Sequence, residues 1–222
     1  MLMDKMCHLK PLAAVGWMAL LVTGCNVSPS PEIRNIASGN SCSLGEEGVR
    51  REERRMTTPM IKKIEIERYS LVTPKAFDQV LAALNAEIGH PNLADFLSST
   101  REAASPVEVE NIVAKALGRS GLMLFVELDH GGILRKTTDQ SGAENVRLVV
   151  GNPLIMKEMA RHVPDAGSYA PVTILVDARA DGIHLSYDRM ESLLAPYGNP
   201  KASEVARSLD QKVEALLRKA AE

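Results

Sequence analysis

The chain has 222 residues, of which 45% are hydrophobic and 4% aromatic, and its formal net charge is −2. This apolar content is typical of a globular protein with a core. The balanced charge and the scarcity of aromatic rings argue against a nucleic-acid partner. The three cysteines, Cys7, Cys25 and Cys42, form no CxxC pair and no Cys/His metal spacing. We therefore expect neither a metal nor a cofactor.

The first 25 residues have the three parts of an export signal. Lys5 and Lys10 are positive, residues 12–23 are apolar, and this run is too short for a comfortable membrane span. The segment Val22-Thr23-Gly24-Cys25 resembles the lipobox of bacterial lipoproteins. The resemblance implies a signal peptide over 1–24 and lipid on Cys25, which makes the membrane a partner and predicts an outer-membrane lipoprotein that faces the periplasm.

An alternative start is encoded further along the chain. Residues 46–56 read EEGVRREERRM, and a Glu-Glu-Arg-Arg run before Met56 is what a translated ribosome-binding sequence would give. If synthesis begins at Met56, the protein is cytoplasmic.

The chain changes character after the signal. Residues 25–59 are rich in Ser, Pro and charge and predict a disordered tether. Residues 60–222 carry the periodic apolar patterns of a single domain.

The first half of the domain predicts one strand and two or three helices. Ile61, Ile64, Ile66 and Tyr69 suggest the strand, and Thr73-Pro74 has the form of an N-cap followed by proline. Apolar residues at helical spacing follow up to Ile88. Residues 90–104 predict a loop or a short helix, and Ser105-Pro106-Val107-Glu108 is a capping box that begins the next helix.

The second half predicts a run of strands and a terminal helix. Residues 122–129 form a continuous apolar run that favours a central strand, and His130-Gly131-Gly132 predicts a turn. The remaining predicted elements are a strand at 146–150, a helix at 154–163 with Asn152 as N-cap, a hairpin of 171–177 and 183–187, a short helix at 190–197 and a last helix after Asn199-Pro200. The order predicts an α+β fold, a mostly antiparallel sheet with helices packed on one face.

Several of these segments together resemble a known family. They are Leu128-Asp129-His130, Val149-Val150-Gly151-Asn152-Pro153, Ala170 to Val176, Asp181-Gly182 and Leu185-Ser186-Tyr187-Asp188. This pattern resembles the family of domains of unknown function numbered 302, also called TT-1751-like. The resemblance covers roughly residues 60–200. It implies a compact TBP-like α+β domain that forms homodimers, and it implies no established reaction. His90 to Ser105 has the character of an insertion.

Four polar residues at the ends of predicted elements are ligand-binding candidates: Asp129, His130, Asn152 and Tyr187. His130 has the chemistry of an acid, base or ligand, but adjacent strand residues point to opposite faces, and Asp-His before Gly-Gly also suits a turn. Asn152 opens a helix whose amides could hold an anion, although capping explains it equally. Tyr187 shares a strand face with apolar neighbours, as a core tyrosine does.

Three hypotheses follow for the domain. The first is a lipid-anchored, non-catalytic domain that binds a small ligand or a protein partner near these four residues. It is favoured because the domain has no cysteine nucleophile and no His-Glu-x-x-His or Gly-x-Ser-x-Gly motif. The second is an enzyme that uses Asp129 and His130 in acid–base chemistry. The third is a structural homodimer, which could also be made in the cytoplasm from Met56.

Overall fold

The computed structural model describes residues 59–222. The predicted signal peptide, the predicted lipid attachment at Cys25 and nearly all of the predicted tether lie outside these residues. Met60–Glu222 forms one compact unit. In chain order its elements are β1 (Arg68–Thr73), α1 (Phe77–Glu87), α2 (Leu93–Glu102), α3 (Pro106–Ala116), β2 (Met123–Asp129), α4 (His130–Thr137), β3 (Asn145–Gly151), α5 (Pro153–Ala160), β4 (Val172–Arg179), β5 (Gly182–Asp188), α6 (Met190–Leu194) and α7 (Pro200–Ala221).

The sheet is antiparallel throughout, with the strand order β1-β5-β4-β3-β2. The predicted α+β class and the predicted hairpin are confirmed, and the hairpin turns at Asp181-Gly182, where Gly182 has a φ of 135° that favours glycine. Residues alternate between buried and accessible along β3, β4 and β5, as in a sheet with one covered face. The covered face forms the main core with apolar side chains of α1, α5 and α7.

A second, smaller core lies at the start of β2. It consists of Phe96 from α2, Val113 and Ala116 from α3, and Met123 from β2. The predicted short helix in 90–104 is therefore present as α2. Ser105 caps α3 as predicted, because its Oγ accepts a hydrogen bond from Glu108 N at 3.2 Å. The predicted capping box is not reciprocal, since the Glu108 carboxylate accepts from Ala104 N at 2.8 Å and not from Ser105 N.

Three predictions about element positions are wrong. The first strand begins at Arg68, whereas Met60 and Ile61 are more than 90% exposed. Thr73 does not cap α1; it ends β1, and its hydroxyl donates to Ala221 O at 2.8 Å. His130-Gly131-Gly132 is the first turn of α4.

The predicted central strand is an edge strand. β2 contacts only β3 within the sheet, and Val126 and Leu128 are about 40% exposed. A continuous apolar run is ambiguous, because it also occurs in a strand whose two faces are covered unequally. Here the second core buries Met123, while the distal half of β2 stays accessible.

Candidate functional site

The structure does not bring the four candidate residues together. Asp129 ends β2 and lies opposite Val146, at the start of β3, whereas Asn152 follows the end of β3. Six residues of extended chain separate Val146 from Asn152, which is about 20 Å. Tyr187 lies two strands further across the sheet. A single cleft around all four is therefore not formed.

Asp129 and His130 begin α4. Asp129 Oδ1 accepts from Gly132 N at 2.7 Å, and Oδ2 accepts from Arg135 at 3.3 Å, so the carboxylate is an N-cap. Asp129 and Arg135 also line an open pocket of about 490 Å³ beside the start of β3, but His130 does not line it. No hydrogen bond of the His130 side chain is found within residues 59–222. The geometry places no concave pocket between the two predicted acid–base partners.

Asn152 is the N-cap of α5, as predicted. Its Oδ1 accepts from Leu154 N at 2.9 Å and from Ile155 N at 3.4 Å, while Nδ2 donates to Gly121 O at 3.1 Å. The side chain therefore stabilises the start of α5 and ties it to the segment before β2. Its oxygen and its nitrogen both have partners inside the protein.

Tyr187 is buried beneath α7, and its hydroxyl belongs to a polar cluster around Asp210. Tyr187 Oη donates to Asp210 Oδ1 at 2.6 Å, and the backbone amides of Met190 and Glu191 donate to the same carboxylate at 2.7 and 3.0 Å. Asp210 thus caps α6 from a distant helix. Burial raises the pKa of Tyr187 above its ordinary range, and Asp210 beside it adds to that rise.

The charge of Asp210 is held in a fully buried position. Arg189 Nε lies 3.8 Å from Asp210 Oδ2, and the same guanidinium pairs with Glu67, Glu191 and Glu214. Burial raises the pKa of Asp210 although its hydrogen bonds and Arg189 oppose the rise. The carboxylate has donors on both oxygens, so its hydrogen-bonding capacity is met, whereas Arg189 Nε is buried without a hydrogen-bond partner among the described residues.

A different region of the molecule carries a cavity. A cavity of about 310 Å³, partly open to solvent, lies between α2, α3, α5, α7 and the adjoining ends of β2, β3 and β4. We call it the apolar cavity. Fourteen of its fifteen lining residues belong to these elements or to the segment before β4, and the fifteenth is Asn152, the N-cap of α5. The lining residues include Phe96, Leu97, Thr100, Val109, Phe125, Gly151, Asn152, Met156, Pro171 and Leu209.

The polar side chains of this wall are already engaged. Asn152 has the partners described above, and Thr100 Oγ1 donates to the carbonyl oxygens of Phe96 and Leu97 at 2.9 and 3.1 Å. The remaining lining side chains are aliphatic, aromatic or thioether groups, or glycine. The cavity therefore offers a ligand dispersion contacts and the hydrophobic effect, with little hydrogen bonding.

Two features, one of the cavity wall and one of the buried polar cluster, were missed from the sequence. Phe125 enters the cavity wall because the β2–β3 register shifts between Leu124 and Val126, which leaves it unpaired at a bulge. An apolar run gives no signal of where such a shift falls. The sequence did contain a sign that Asp210 is buried, because it lies at helical spacing among apolar residues. One buried face of α7 carries Ala206, Asp210, Val213 and Leu217, and a carboxylate on such a face needs hydrogen-bond partners.

The fold and the cavity define an α+β domain with a ligand-sized apolar cavity. The family model "Domain of unknown function DUF302" matches residues 98–220, which is more than half of the chain. The chain belongs to the DUF302 family, as its sequence motifs indicated. Among solved structures, it is similar to the uncharacterized conserved protein DUF302 from Bacillus stearothermophilus, with 14% identity and a TM-score of 0.49 over 69% of this chain and 97% of that one. No curated protein matches it.

Two further observations concern anchoring and metals. Within residues 59–222, none of the helices combines the length and the apolar character needed to cross a membrane. The same part of the chain contains no group of three or more His, Cys, Asp or Glu side chains placed to hold a metal ion.

Proposed function

We propose that this protein is a small-ligand-binding domain and that its ligand is an apolar molecule held in the apolar cavity. The observation that carries the proposal is a ligand-sized space whose wall is apolar and whose two polar side chains are both internally paired. Its volume lies at the lower end of the range for ligand sites. Even an enclosed apolar cavity of about half this size takes up a small hydrocarbon.

The energetics support a binding role. Protein interiors are closely packed, and unfilled apolar volume lowers stability because the lining atoms lack contacts. A ligand that fills the space would restore those contacts and stabilise the folded state by mass action. The absence of an unpaired polar group in the wall makes catalysis there less well supported than binding.

The experiment compares two tryptophan substitutions on α3. Val109 is half-buried and lines the cavity, whereas Val107 on the same helix is 65% exposed and does not. In the full chain, titration with the neutral fluorophore N-phenyl-1-naphthylamine should show saturable binding. Val109→Trp should weaken that binding at least tenfold because the indole occupies the cavity, while Val107→Trp should change it less than twofold.

The outcomes separate cleanly. No saturable binding to the unsubstituted chain, or equal binding by Val109→Trp, would contradict the proposal. Thermal unfolding of both variants checks that each one folds. If Val109→Trp does not fold, Leu97→Trp provides the same test from α2, where the position is 48% exposed and more tolerant.

The predicted place of action completes the proposal. The segment Val22-Thr23-Gly24-Cys25 supports a protein held by lipid on Cys25 at the bacterial envelope, with the domain on the periplasmic side. Mass spectrometry of the mature N-terminus tests it. A lipid-modified Cys25 is expected, and an unmodified chain that begins at Met56 would replace this location with the cytoplasm.

A homodimer remains a second proposal beside ligand binding. It is supported by exposed apolar side chains on the sheet, since Val72, Val126 and Leu128 are 51%, 41% and 38% exposed. Light scattering of the full chain tests it, and a monomeric mass would contradict it.

A further inference from the structure

We infer that the uncovered face of the sheet carries a second binding site, separate from the apolar cavity, where Arg147 binds the carboxylate of a small organic monoanion. The observation behind this inference is a pocket in which one arginine and two hydroxyl groups lack internal partners. The inference goes beyond the proposed function and does not depend on it.

The site is a pocket of about 260 Å³ on the side of the sheet opposite the main core. Its lining includes Arg68 from β1, Arg147 from β3, Thr173 and Leu175 from β4, and Ser186 and Asp188 from β5. The strand register brings these side chains together, because Leu175 lies opposite both Arg147 and Ser186 on its two neighbouring strands. The pocket therefore belongs to the rigid sheet and not to a loop.

The two arginines of this pocket differ in their partners. Arg68 lies opposite Asp188, and its guanidinium donates two hydrogen bonds to that carboxylate at 2.6 and 2.9 Å. Arg147 lies between Leu128 on β2 and Leu175 on β4, so neither neighbouring strand offers it a carboxylate there. Opposite charges placed across strands stabilise a sheet. Arg147 therefore presents a charge that the sheet leaves unmatched.

Such an unmatched charge is uncommon in this protein. Within residues 59–222, every arginine other than Arg101 and Arg147 forms an ion pair with an Asp or Glu side chain. The hydroxyl groups of Thr173 and Ser186 make no hydrogen bond within the same part of the chain. An anion could therefore bind all three side chains without breaking an interaction of the fold.

The charges of the pocket favour a ligand with one negative charge. The pair of Arg68 and Asp188 is neutral as a whole, so Arg147 gives the pocket one net positive charge. A carboxylate matches this charge, and its two oxygens can accept two parallel hydrogen bonds from a guanidinium. Leu175 offers an apolar surface next to Arg147 for the body of the ligand. The class is therefore an organic monocarboxylate with an apolar body.

The test is a titration of the full chain with 4-fluorobenzoate, followed by fluorine NMR. Saturable binding is expected, and the neutral 4-fluorobenzamide should bind at least tenfold more weakly. Arg147→Gln should weaken the binding of 4-fluorobenzoate at least tenfold, because the charge-assisted hydrogen bonds are lost. Arg101 is the matched control, because it is exposed on α2 and lines neither this pocket nor the apolar cavity. Arg101→Gln should change the affinity less than twofold.

A second substitution tests the charge argument in the opposite direction. Asp188→Asn removes the charge partner of Arg68 and gives the pocket a second unmatched positive charge. The affinity for 4-fluorobenzoate should rise about twofold to fivefold, as expected for an exposed charge. Unchanged or weaker binding would contradict the role of the pocket charge.

This site and the apolar cavity can fail independently. If the unsubstituted chain does not bind 4-fluorobenzoate, for instance because a second copy covers the sheet, the monocarboxylate site is wrong and the apolar cavity is unaffected. If N-phenyl-1-naphthylamine displaces 4-fluorobenzoate, or if Arg147→Gln binds it as tightly as the unsubstituted chain does, the assignment to Arg147 is wrong. If sulfate, a dianion, displaces it more strongly than benzoate does at equal ionic strength, the monocarboxylate class is wrong.

Discussion

Two neighbouring residues of α7 face two very different interiors. Leu209 lines the apolar cavity, whereas Asp210 lies at the centre of a buried polar cluster. Around Asp210 the protein itself supplies donors to both carboxylate oxygens. Around Leu209 the protein lines a cavity of about 310 Å³ with apolar side chains. The comparison teaches that buried polarity here supports the fold, and that the proposed ligand binding depends on the apolar region beside it.

The strongest way to break this comparison is to remove the Asp210 carboxylate. Asp210→Ala leaves the Tyr187 hydroxyl and the amides of Met190 and Glu191 buried without their acceptor. Breaking a buried, hydrogen-bonded charge in this way costs about 3–5 kcal/mol. We expect a loss of that size in the free energy of unfolding, measured by urea denaturation of the full chain.

The control lies on the same helix. Glu204 is exposed, and Glu204→Ala should change the free energy of unfolding by less than about 0.5 kcal/mol. A loss below about 1 kcal/mol for Asp210→Ala would show that water or a rearranged side chain satisfies the three donors, and the view of this cluster as a structural element would fail.

The conservative substitution Asp210→Asn tests the same comparison through the pH dependence of the free energy of unfolding. Asp210→Asn keeps an acceptor but removes the titration, and it should cost less than Asp210→Ala. Because burial raises the pKa of Asp210 in the folded state, the folded protein binds more protons than the unfolded one between the two pKa values. Its stability therefore falls as pH rises through that window. The difference in the free energy of unfolding between the unsubstituted protein and Asp210→Asn should therefore shrink as pH rises through the same window.

Glu87 provides a control of opposite sign. Hydrogen bonding from Lys219, supported by the charge of Arg119, lowers the pKa of Glu87. Its contribution is therefore present above the unfolded pKa and is lost as pH falls through the folded pKa. For each variant, Asp210→Asn and Glu87→Gln, urea denaturation at acidic to neutral pH gives the amount by which the free energy of unfolding of the unsubstituted protein exceeds that of the variant. As pH rises, these two differences should change in opposite directions. Parallel changes would contradict the assignment at Asp210.

Local signals in the sequence were enough for much of the fold. Ser105 and Asn152 cap the predicted helices, and Asp181-Gly182 closes the predicted hairpin, because each of these interactions lies within a few neighbouring residues. The edge position of β2 was not predictable, since it depends on strand order. The apolar cavity was not predictable either, because it depends on a bulge at Phe125 and on how α2 packs.

The same reasoning explains why the candidate residues did not converge. Asp129 and Asn152 were grouped because both lie at the ends of predicted strands. In an antiparallel pair, however, the end of one strand lies beside the start of the next. The two residues therefore perform the same capping role at opposite ends of β2 and β3. Only Asn152 lies at the apolar cavity.

This difference leads to the smallest expected losses of stability, which concern these two capping residues. Asn152→Ala removes the cap of α5 and the hydrogen bond to Gly121 O, and should lower the free energy of unfolding by about 1–2 kcal/mol. Asp129→Ala removes a cap at a more exposed position and should cost about 0.5–1 kcal/mol. Urea denaturation of the two variants measures both losses.

A measurement of ligand affinity then tests whether the Asn152 side chain contacts the ligand in the cavity. Because both of its polar groups are used within the protein, Asn152→Ala should change the affinity for N-phenyl-1-naphthylamine less than about threefold. A loss of tenfold or more, with folding intact, would mean that the amide contacts the ligand directly. The ligand would then have to carry a polar group into the cavity, and the contrast between the internally paired Asp210 carboxylate and the mainly apolar cavity beside Leu209 would no longer hold.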